Sequence, residues 1–354
     1  MSKYGDKVKG SLLAAALGDG LGAFAECLHY ETVDRKIRSF PPSGHVGCVE
    51  YTDDTTLRLV LYDAILSGQV DAWSFAEKWK GGVVDPKVFW ISELYVTALL
   101  GMGEDPHRIG HGNLTADNAA MAADPFGTTY PCLDETAALR AFETMSICQA
   151  GVGQEGGMAV AAAVSCAMRP EPDMDEIIES AGKYVGRDMK SRIEKALAIV
   201  GEREDPRKQL YEEMLVEDGT ADLVWNEMIT NPPVEMSRRL VDMRLNRNEI
   251  SMGISPLEVV PIAIAYAAKG KKKPLKAIKS AAAFGRDSDT ISGISGAILG
   301  AYHGAKAFPK STFNILSKTL LARAEEISTA MQPIAQKNIN TYLTALRESE
   351  QLFT

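Results

Sequence analysis

The chain has 354 residues, of which 45% are hydrophobic and 24% are charged, and these proportions exclude an intrinsically disordered protein. Its formal net charge of −9 argues against a nucleic-acid-binding protein, whose surface must be basic to replace the counterions of the phosphate backbone. No uninterrupted apolar stretch reaches the roughly 20 residues that cross a bilayer, so we expect no membrane partner.

The amino-terminal segment resembles a signal peptide only faintly. Three lysines precede a short apolar stretch, but residues 18–20 (GDG) stand where the small residues of a cleavage site belong. The five cysteines are an odd number and form no Cys-x-x-Cys pair, which argues against a disulfide framework and a zinc site. We therefore expect a cytoplasmic protein.

Apolar residues recur with the period of an α-helix along most of the chain. Leu57, Val60, Leu61 and Ala64, for example, fall at positions i, i+3, i+4 and i+7. Nothing alternates as a strand would, and nothing is repeated or linker-like, so the pattern predicts an all-α fold in one domain over residues 1–354. The predicted helices cover residues 5–17, 57–65, 86–100, 133–148, 155–168, 187–201, 257–268 and 273–283, one that begins near 289, and two at the end, 311–331 and 334–350.

Proline, lysine and glycine mark boundaries and contacts of these helices. Pro333 separates the last two, because its ring interrupts a helix. The basic run at residues 269–273 is predicted to be a solvated turn. Gly293, Gly296 and Gly300 share one face of a predicted helix. Since glycine costs about 1 kcal/mol relative to alanine inside a helix, this stripe predicts close packing against another helix.

Two acidic clusters stand at the starts of predicted helices, at residues 51–55 (YTDDT) and 285–290 (GRDSDT). One acidic residue at such a position caps free amides and complements the helix dipole, which explains Asp53 or Asp289 taken alone. Capping does not explain two aspartates within three positions, flanked by threonine, occurring twice. Spacing by itself leaves capping and ligand binding open.

Ligand binding would here mean a cation site. Crowded carboxylates repel one another unless a cation neutralises them. Four carboxylates and two threonine hydroxyls are hard oxygen ligands, suited to Mg²⁺, Mn²⁺ or Ca²⁺. Four carboxylates carry more charge than one divalent ion needs, so two ions about 3.5–4 Å apart fit better. The two clusters are far apart in sequence, and such a site requires the fold to join two helix starts.

Two glycine-rich segments carry further candidates. Residues 18–26 (GDGLGAFAE) are predicted to end the first helix in a glycine-rich turn and to present Glu26 as either a surface carboxylate or a site residue. Residues 110–121 (GHGNLTADNAAM) are predicted to form a turn, where glycine also lets a ligand approach the backbone. Spacing does not choose between these possibilities.

These four segments together resemble the ADP-ribosylglycohydrolase family, which includes the ADP-ribosyl-arginine and ADP-ribosyl-serine hydrolases and the activating glycohydrolase of dinitrogenase reductase. The resemblance extends from residue 10 to about residue 309 and is most specific at residues 17–22, 51–55 and 285–297. It implies a compact, orthogonal all-α domain with a central site for two divalent ions, Mg²⁺ or Mn²⁺. Carried over residue by residue, the metal ligands are Thr52, Asp53, Asp54, Asp287, Asp289 and Thr290.

The resemblance also implies which residues carry the chemistry. Glu26 matches an acidic position that lies near the scissile bond in some members, and Asp54 and Asp289 are the other candidate catalytic residues. Asp289, with ligands on both sides, is the candidate to bridge the two ions. Metal ions can polarise a ribose diol while a nearby carboxylate moves a proton, and carboxylates stabilise the oxocarbenium-like centre of glycoside cleavage.

The middle segment departs from the family motif Gly-Asn-Gly-Ala-Ala-Met-Arg. Its Gly112-Asn113 pair is separated from an Ala-Ala-Met sequence by five residues, and Ala122 replaces the arginine. Residues 146–149 (SICQ) stand where the family has a Thr-His motif. In well-known members this loop contacts the pyrophosphate, so the change implies weaker pyrophosphate recognition. The candidate substrate-binding residues here are Gly112, Asn113, Asn118 and Met121.

The function expected from this resemblance is that of a metal-dependent hydrolase of a ribosyl N- or O-glycosidic bond, releasing ADP-ribose from an ADP-ribosylated protein side chain or small molecule. One alternative is an N-ribosyl hydrolase with a smaller, nucleoside-type substrate. Another is a non-catalytic protein that binds ADP-ribose or ribose on the same fold. Arg286 is a candidate partner for a phosphate or for a ligand carboxylate, with a structural role as the alternative.

Overall fold

The structure is a computed structural model, and it describes residues 1–68, 70–81, 90–201, 203–230, 240–309 and 311–353. Among these residues the regular elements are helices, and the β-structure is one isolated bridge between Leu28 and Ile250. The predicted all-α fold is confirmed. The α-helices are α1 Lys3–Gly22, α2 Tyr30–Lys36, α3 Asp53–Leu66, α4 Ala72–Lys80, α5 Ile91–Gly101, α6 Pro106–Ile109, α7 Asn118–Met121, α8 Asp124–Thr129, α9 Asp134–Thr144, α10 Val152–Ala167, α11 Met174–Lys183, α12 Arg187–Val200, α13 Arg207–Glu213, α14 Thr220–Thr230, α15 Pro256–Lys269, α16 Pro274–Ala282, α17 Ser288–His303 and α18 Lys318–Glu350.

Helices α1 and α17 form the buried centre of the molecule and pack closely against each other. A Cβ atom added to Gly296 would overlap the carbonyl oxygen of Ala14, and one added to Gly300 would overlap that of Gly10. The predicted packing role of the glycine stripe is confirmed for these two positions. Gly293 has more room, because an added Cβ would be 3.6 Å from its nearest neighbour.

Helix α1 extends further than predicted. Residues 18–22 are helical, so the prediction that they form a glycine-rich turn is wrong. The glycines serve a tertiary contact instead. A Cβ atom on Gly18 would overlap the backbone of Ser292, and one on Gly22 would overlap the backbone of Ser288. Glycine at these positions therefore lets α1 lie directly on the first turns of α17.

The carboxyl-terminal segment forms one helix, so the predicted boundary at Pro333 is wrong. Helix α18 begins after Ser317, whose hydroxyl accepts a hydrogen bond of 3.2 Å from the amide of Leu320. Proline removes the hydrogen bond to the carbonyl of Thr329, four residues earlier. Thr329 is exposed, so water can satisfy that carbonyl. No described residue of α18 after Ala335 is buried.

The other predicted helices correspond to α3, α5, α9, α10, α12, α15, α16 and α17, with ends shifted by a few residues. Residues 86–89 of one prediction lie outside the described residues. Sequence analysis missed helices of 4 to 11 residues, namely α2, α4, α6, α7, α8, α11, α13 and α14. Residues 271–273 of the basic run form an exposed turn, as predicted, whereas Lys269 ends α15 and Gly270 is buried. Among the described residues, no helix is long and apolar enough to cross a bilayer.

Candidate metal centre

The fold brings the two acidic clusters together. Asp53, Asp54 and Asp289 each have a carboxylate oxygen within 4.8 Å of those of the other two. The Thr290 hydroxyl donates a hydrogen bond of 3.2 Å to Asp54 Oδ2, and the Thr52 hydroxyl lies 3.5 Å from the same oxygen. All these side chains except Thr52 are buried. The predicted meeting of two helix starts is confirmed.

Capping does not account for the aspartates. The side chain that caps α3 belongs to Thr52, which accepts a hydrogen bond of 3.4 Å from the amide of Asp54. Asp287 occupies the cap position of α17 but, within the described chain, makes no side-chain cap hydrogen bond. The free amides and dipoles of two helix starts still favour negative charge at this place.

Asp19, on α1, fixes the start of α3. Its Oδ1 accepts hydrogen bonds of 2.9 Å from both the amide and the hydroxyl of Thr52. Its Oδ2 accepts bonds of 3.0 Å and 2.5 Å from the amide and hydroxyl of Thr55. Because the Thr52 hydroxyl donates to Asp19 and accepts from the amide of Asp54, its remaining lone pair is left for the centre. Sequence analysis gave Asp19 no role; the available signal was an acidic residue inside an apolar helix.

The buried guanidinium of Arg58 links α3 to the two short helices packed against it. Arg58 is fully buried, forms an ion pair with Asp124 on α8, and donates to the carbonyl of Met121 on α7. A further bond of 3.3 Å reaches the hydroxyl of Thr55. The Arg58 charge also favours the ionised form of Asp54, although burial has the larger, opposite effect on that pKa. This residue therefore holds α3, α7 and α8 together beside the acidic cluster.

Burial makes this centre hard to ionise. It is the largest cause of the raised pKa values of Asp53, Asp54 and Asp287, and the charge of a neighbouring carboxylate is the next. Burial also raises the pKa of Asp19 to about 6 and that of Asp117 to about 7. Burial therefore favours the protonated form of these carboxyl groups, and a cation that binds to them would replace those protons.

The donor set fits a hard divalent cation. Oδ1 of Asp54 is buried and has no hydrogen-bond partner among the described residues. Asp287 lies close enough to Asp289 and Asp54 for their charges to raise its pKa, after the larger effect of burial. Asp53, Asp54 and Asp289, with the Thr52 and Thr290 hydroxyls near Asp54, thus form one cluster of the carboxylate and hydroxyl oxygens that Mg²⁺ and Mn²⁺ prefer, and the assignment of all six predicted ligands, Asp287 included, stays a prediction.

Glu26 is buried beside this cluster. It is 3% exposed, and its charge contributes to the raised pKa of Asp53, for which burial is the largest cause. Its amide donates a bond of 3.0 Å to the carbonyl of Gly22, which continues the turn of α1. The next residue, Cys27, donates from its amide to the carbonyl of Arg286 at 2.7 Å. Glu26 is thus held by main-chain bonds to the start of α17, and the flexible glycine turn predicted before it is absent from these described residues.

In the first part of the middle segment, Asn113 makes hydrogen bonds to two other parts of the chain. The Asn113 amide nitrogen donates to the carbonyls of Ser92 and Cys148 at 3.1 Å and 2.9 Å. Gly112 is exposed. Substrate binding by these two residues stays a prediction, and the structure gives Asn113 a structural task.

The second part of the middle segment faces the acidic centre. Asn118 and Met121 are buried on α7. Both polar atoms of the Asn118 side chain are buried without a hydrogen bond of good geometry to any described residue. Asp117, which precedes α7 and is also buried, lies against Asp287, and each affects the pKa of the other. Sequence analysis missed Asp117 as a residue of the centre.

Residues 116–122 (ADNAAMA) align without a gap to the motif Gly-Asn-Gly-Ala-Ala-Met-Arg. Asp117 then replaces the asparagine, Asn118 replaces the second glycine and Ala122 replaces the arginine. Because these residues, and not Gly112, lie buried at the centre, the structure favours this register over the predicted five-residue expansion.

Arg286 has the structural role. Its Nε and Nη2 donate to the Glu258 carboxylate at 2.5 Å and 3.0 Å, and its Nη1 donates to the Ser251 hydroxyl at 3.0 Å. Both partners in the ion pair are buried. The guanidinium lies directly against Gly253, and a Cβ atom added to that glycine would overlap it. Because the Arg286 guanidinium is bound to Glu258 inside the protein, it does not offer a free cation to a substrate phosphate or to a ligand carboxylate.

The fold and the site define an all-helical protein with a buried acidic centre where two helix starts meet, of the kind that holds divalent cations. The family model of the ADP-ribosylglycohydrolases matches residues 1–338, and the chain belongs to this family. Membership of this family makes it a hydrolase that acts on glycosidic bonds. The resemblance carried by the motifs is confirmed.

Curated relatives span nearly the same length. The chain is 24% identical over 371 residues to the uncharacterized protein YegU of Escherichia coli (strain K12), covering 98% of each chain. It is 27% identical over 305 residues to an uncharacterized protein of Archaeoglobus fulgidus, covering 84% of this chain and 87% of that one. A solved structure described as an ADP-ribosylglycohydrolase-related protein complex superposes with a TM-score of 0.64 at 17% identity, covering 95% of this chain and 100% of that one. This last likeness shows the shared fold.

Proposed function

We propose that the chain is a metal-dependent hydrolase of a ribosyl N- or O-glycosidic bond that releases ADP-ribose from an ADP-ribosylated protein side chain or small molecule. The observation that supports this most directly is the buried trio of Asp53, Asp54 and Asp289 carboxylates within 4.8 Å of one another. Bound Mg²⁺ or Mn²⁺ would supply Lewis acidity toward ribose hydroxyls. The residues that would hold two such ions are Thr52, Asp53, Asp54, Asp287, Asp289 and Thr290.

The remaining groups of the centre would position and protonate the substrate. Glu26, buried next to Asp53, is the carboxyl group proposed to move a proton at the scissile glycosidic bond. The surrounding carboxylates favour the positive charge that develops at the anomeric carbon. Asp19 keeps the Thr52 hydroxyl oriented, so the centre is organised before any ligand arrives.

A smaller, nucleoside-type riboside is the second candidate substrate. Ala122 is fully buried at the position of the family's arginine. The guanidinium groups of Arg58 and Arg286 are each bound to a carboxylate inside the protein. These positions thus offer no free cation to a pyrophosphate, which favours recognition through the ribose next to the scissile bond.

A product assay tests the proposed reaction. The protein with Mg²⁺ is incubated with ADP-ribosyl-arginine, ADP-ribosyl-serine, O-acetyl-ADP-ribose and a panel of nucleosides, and the released sugar is identified by mass spectrometry. Released ADP-ribose supports the first substrate class, and ribose released from a nucleoside supports the second. No metal-dependent product from any of them would contradict the proposal. Asp289→Ala should abolish turnover, whereas Asp173→Ala, which removes an exposed cap of α11, should not.

A competition series separates the two substrate classes. Binding of ADP-ribose, ribose 5-phosphate, adenosine and ribose to the Mg²⁺-loaded protein is compared by calorimetry. Loss of donors to a charged group removes about 1.5–3 kcal/mol per hydrogen bond, so fragments without a pyrophosphate should compete comparably with ADP-ribose. If ADP-ribose binds a hundredfold or more tightly than every fragment, the nucleoside-type alternative is to be dropped.

A further inference from the structure

We propose that Asp117 is an additional cation ligand, supplied to the acidic centre by the middle segment and not among the six residues that the family resemblance assigns. This proposal rests on the proposed function, because it requires the centre to bind divalent ions.

The position of Asp117 is the first reason. Helix α7, which Asp117 precedes, packs against both α3 and α17, the helices that carry the expected ligands, and Asp117 lies close enough to Asp287 for each to affect the pKa of the other. It also lies near enough to Asp54 and Asp289 for the charges to interact. Two carboxyl groups in contact need a proton or a cation between them.

The second reason is an unused oxygen. Asp117 is 4% exposed, and its Oδ2 is buried without a hydrogen-bond partner among the described residues. The side chain makes no cap hydrogen bond to α7. A buried carboxylate oxygen without a partner is unfavourable, and a cation satisfies it.

The third reason is rigidity. The carbonyl of Asp117 accepts bonds of 2.6 Å and 3.0 Å from the amides of Ala120 and Met121. The carbonyl of Met121 in turn accepts a hydrogen bond from the buried Arg58 of α3. Helix α7 is therefore fixed to α3, and the backbone that carries the Asp117 carboxylate is held in place beside the acidic centre.

Glu93 provides a matched comparison within the same cluster. It is a buried carboxylate beside Asp53, but the chain's own donors occupy its oxygens. Its Oε1 accepts a hydrogen bond of 2.8 Å from the hydroxyl of Ser92, and its Oε2 accepts one of 3.2 Å from the amide of Trp90. Glu93→Gln removes the same charge as Asp117→Asn, whereas only the latter removes an oxygen that is free to bind a cation.

Titration with Mn²⁺, followed by calorimetry, tests the assignment on the full chain. The wild type should bind two ions. In Asp117→Asn, the affinity for one ion should fall about tenfold or more, and by clearly more than in Glu93→Gln. Because the Asp117 side chain does not cap α7, the metal-free melting temperature of Asp117→Asn should not fall. If that variant does not fold, Asp117→Ala is titrated in its place.

The outcomes separate this assignment from the proposed function. If the wild type binds no Mn²⁺, both are wrong. If the wild type binds two ions and Asp117→Asn binds them equally well, the Asp117 assignment alone is overturned. Equal losses of Mn²⁺ affinity in Asp117→Asn and Glu93→Gln would show that the effect comes from the removed charge, and would also overturn the Asp117 assignment.

Discussion

Single buried polar residues hold the helix ends of this protein together, and Lys7 is the clearest of them. Its Nζ donates to the carbonyls of Ala167, Ala301 and Tyr302 at 2.7, 2.7 and 3.0 Å. These carbonyls lie in the last turns of α10 and α17, where a helix leaves acceptors without partners. In the sequence, Lys7 is one of three ordinary amino-terminal lysines.

Replacing Lys7 by methionine should lower the free energy of unfolding by about 2–4 kcal/mol, because it leaves buried carbonyls without a charged donor. The control is Lys9→Met, which removes an ion pair with Glu325 at the surface and should change that free energy by less than about 1 kcal/mol. Denaturant titration of both variants measures the difference. Equal changes in the free energy of unfolding would show that the buried contacts of Lys7 contribute no more than a surface ion pair.

Glu26 is expected to serve the chemistry and not the fold. Glu26→Gln keeps the shape of the side chain but removes its ability to exchange a proton, so turnover should fall by about 10²–10⁴. Mn²⁺ affinity and melting temperature should be almost unchanged. Steady-state kinetics with the substrate found in the product assay provides the test, and full turnover would make Glu26 a bystander.

At the level of whole elements, glycine decides how closely α1 and α17 approach. Gly296→Ala should lower the free energy of unfolding by about 2 kcal/mol or more, since its Cβ would overlap a backbone carbonyl of α1 and neither helix can give way. The control is Gly182→Ala in α11, where the nearest atom is 3.6 Å away and the change should be neutral or stabilising. A thermal unfolding experiment on both variants distinguishes them; a well-tolerated alanine at position 296 would contradict the packing.

For the molecule as a whole, the acidic centre links stability to pH. Burial raises the pKa of Asp19 to about 6 and that of Asp117 to about 7, from a usual value of 3.8. The unfolded chain has ordinary carboxyl groups, so between about pH 4 and pH 7 the folded state binds more protons than the unfolded state. The stability that these groups contribute is therefore present at low pH and is lost as the pH rises through their folded pKa values.

Without divalent ions, the melting temperature should accordingly fall between pH 5 and pH 8. Ions replace protons on the same oxygens, so the stabilisation by Mn²⁺ should be larger at pH 8 than at pH 5. Calorimetry in EDTA and in Mn²⁺ measures both effects, and Asp289→Ala, which removes a proposed ligand, should lose the stabilisation. A larger Mn²⁺ effect at pH 5 would be the opposite of this expectation.

The sequence was sufficient for the features that depend on local pattern or on a family motif. The 3.6-residue period identified the long helices, and the acidic pairs beside threonine identified most of the centre. Two predicted helix ends were wrong because tertiary contacts override a local preference. Glycine at residues 18–22 locally favours the end of a helix, and proline at 333 locally disfavours a helix, yet both lie inside helices.

What only the tertiary structure decided is which distant residues share one buried space. The local sequence around Asp19 and Asp117 does not show which residues they meet. They become part of the centre because α1 and α7 place their carboxyl groups beside the starts of α3 and α17. The sequence determines the long helices through local periodicity. The burial and pKa values of the centre arise from contacts between helices far apart in the chain, which no local pattern encodes.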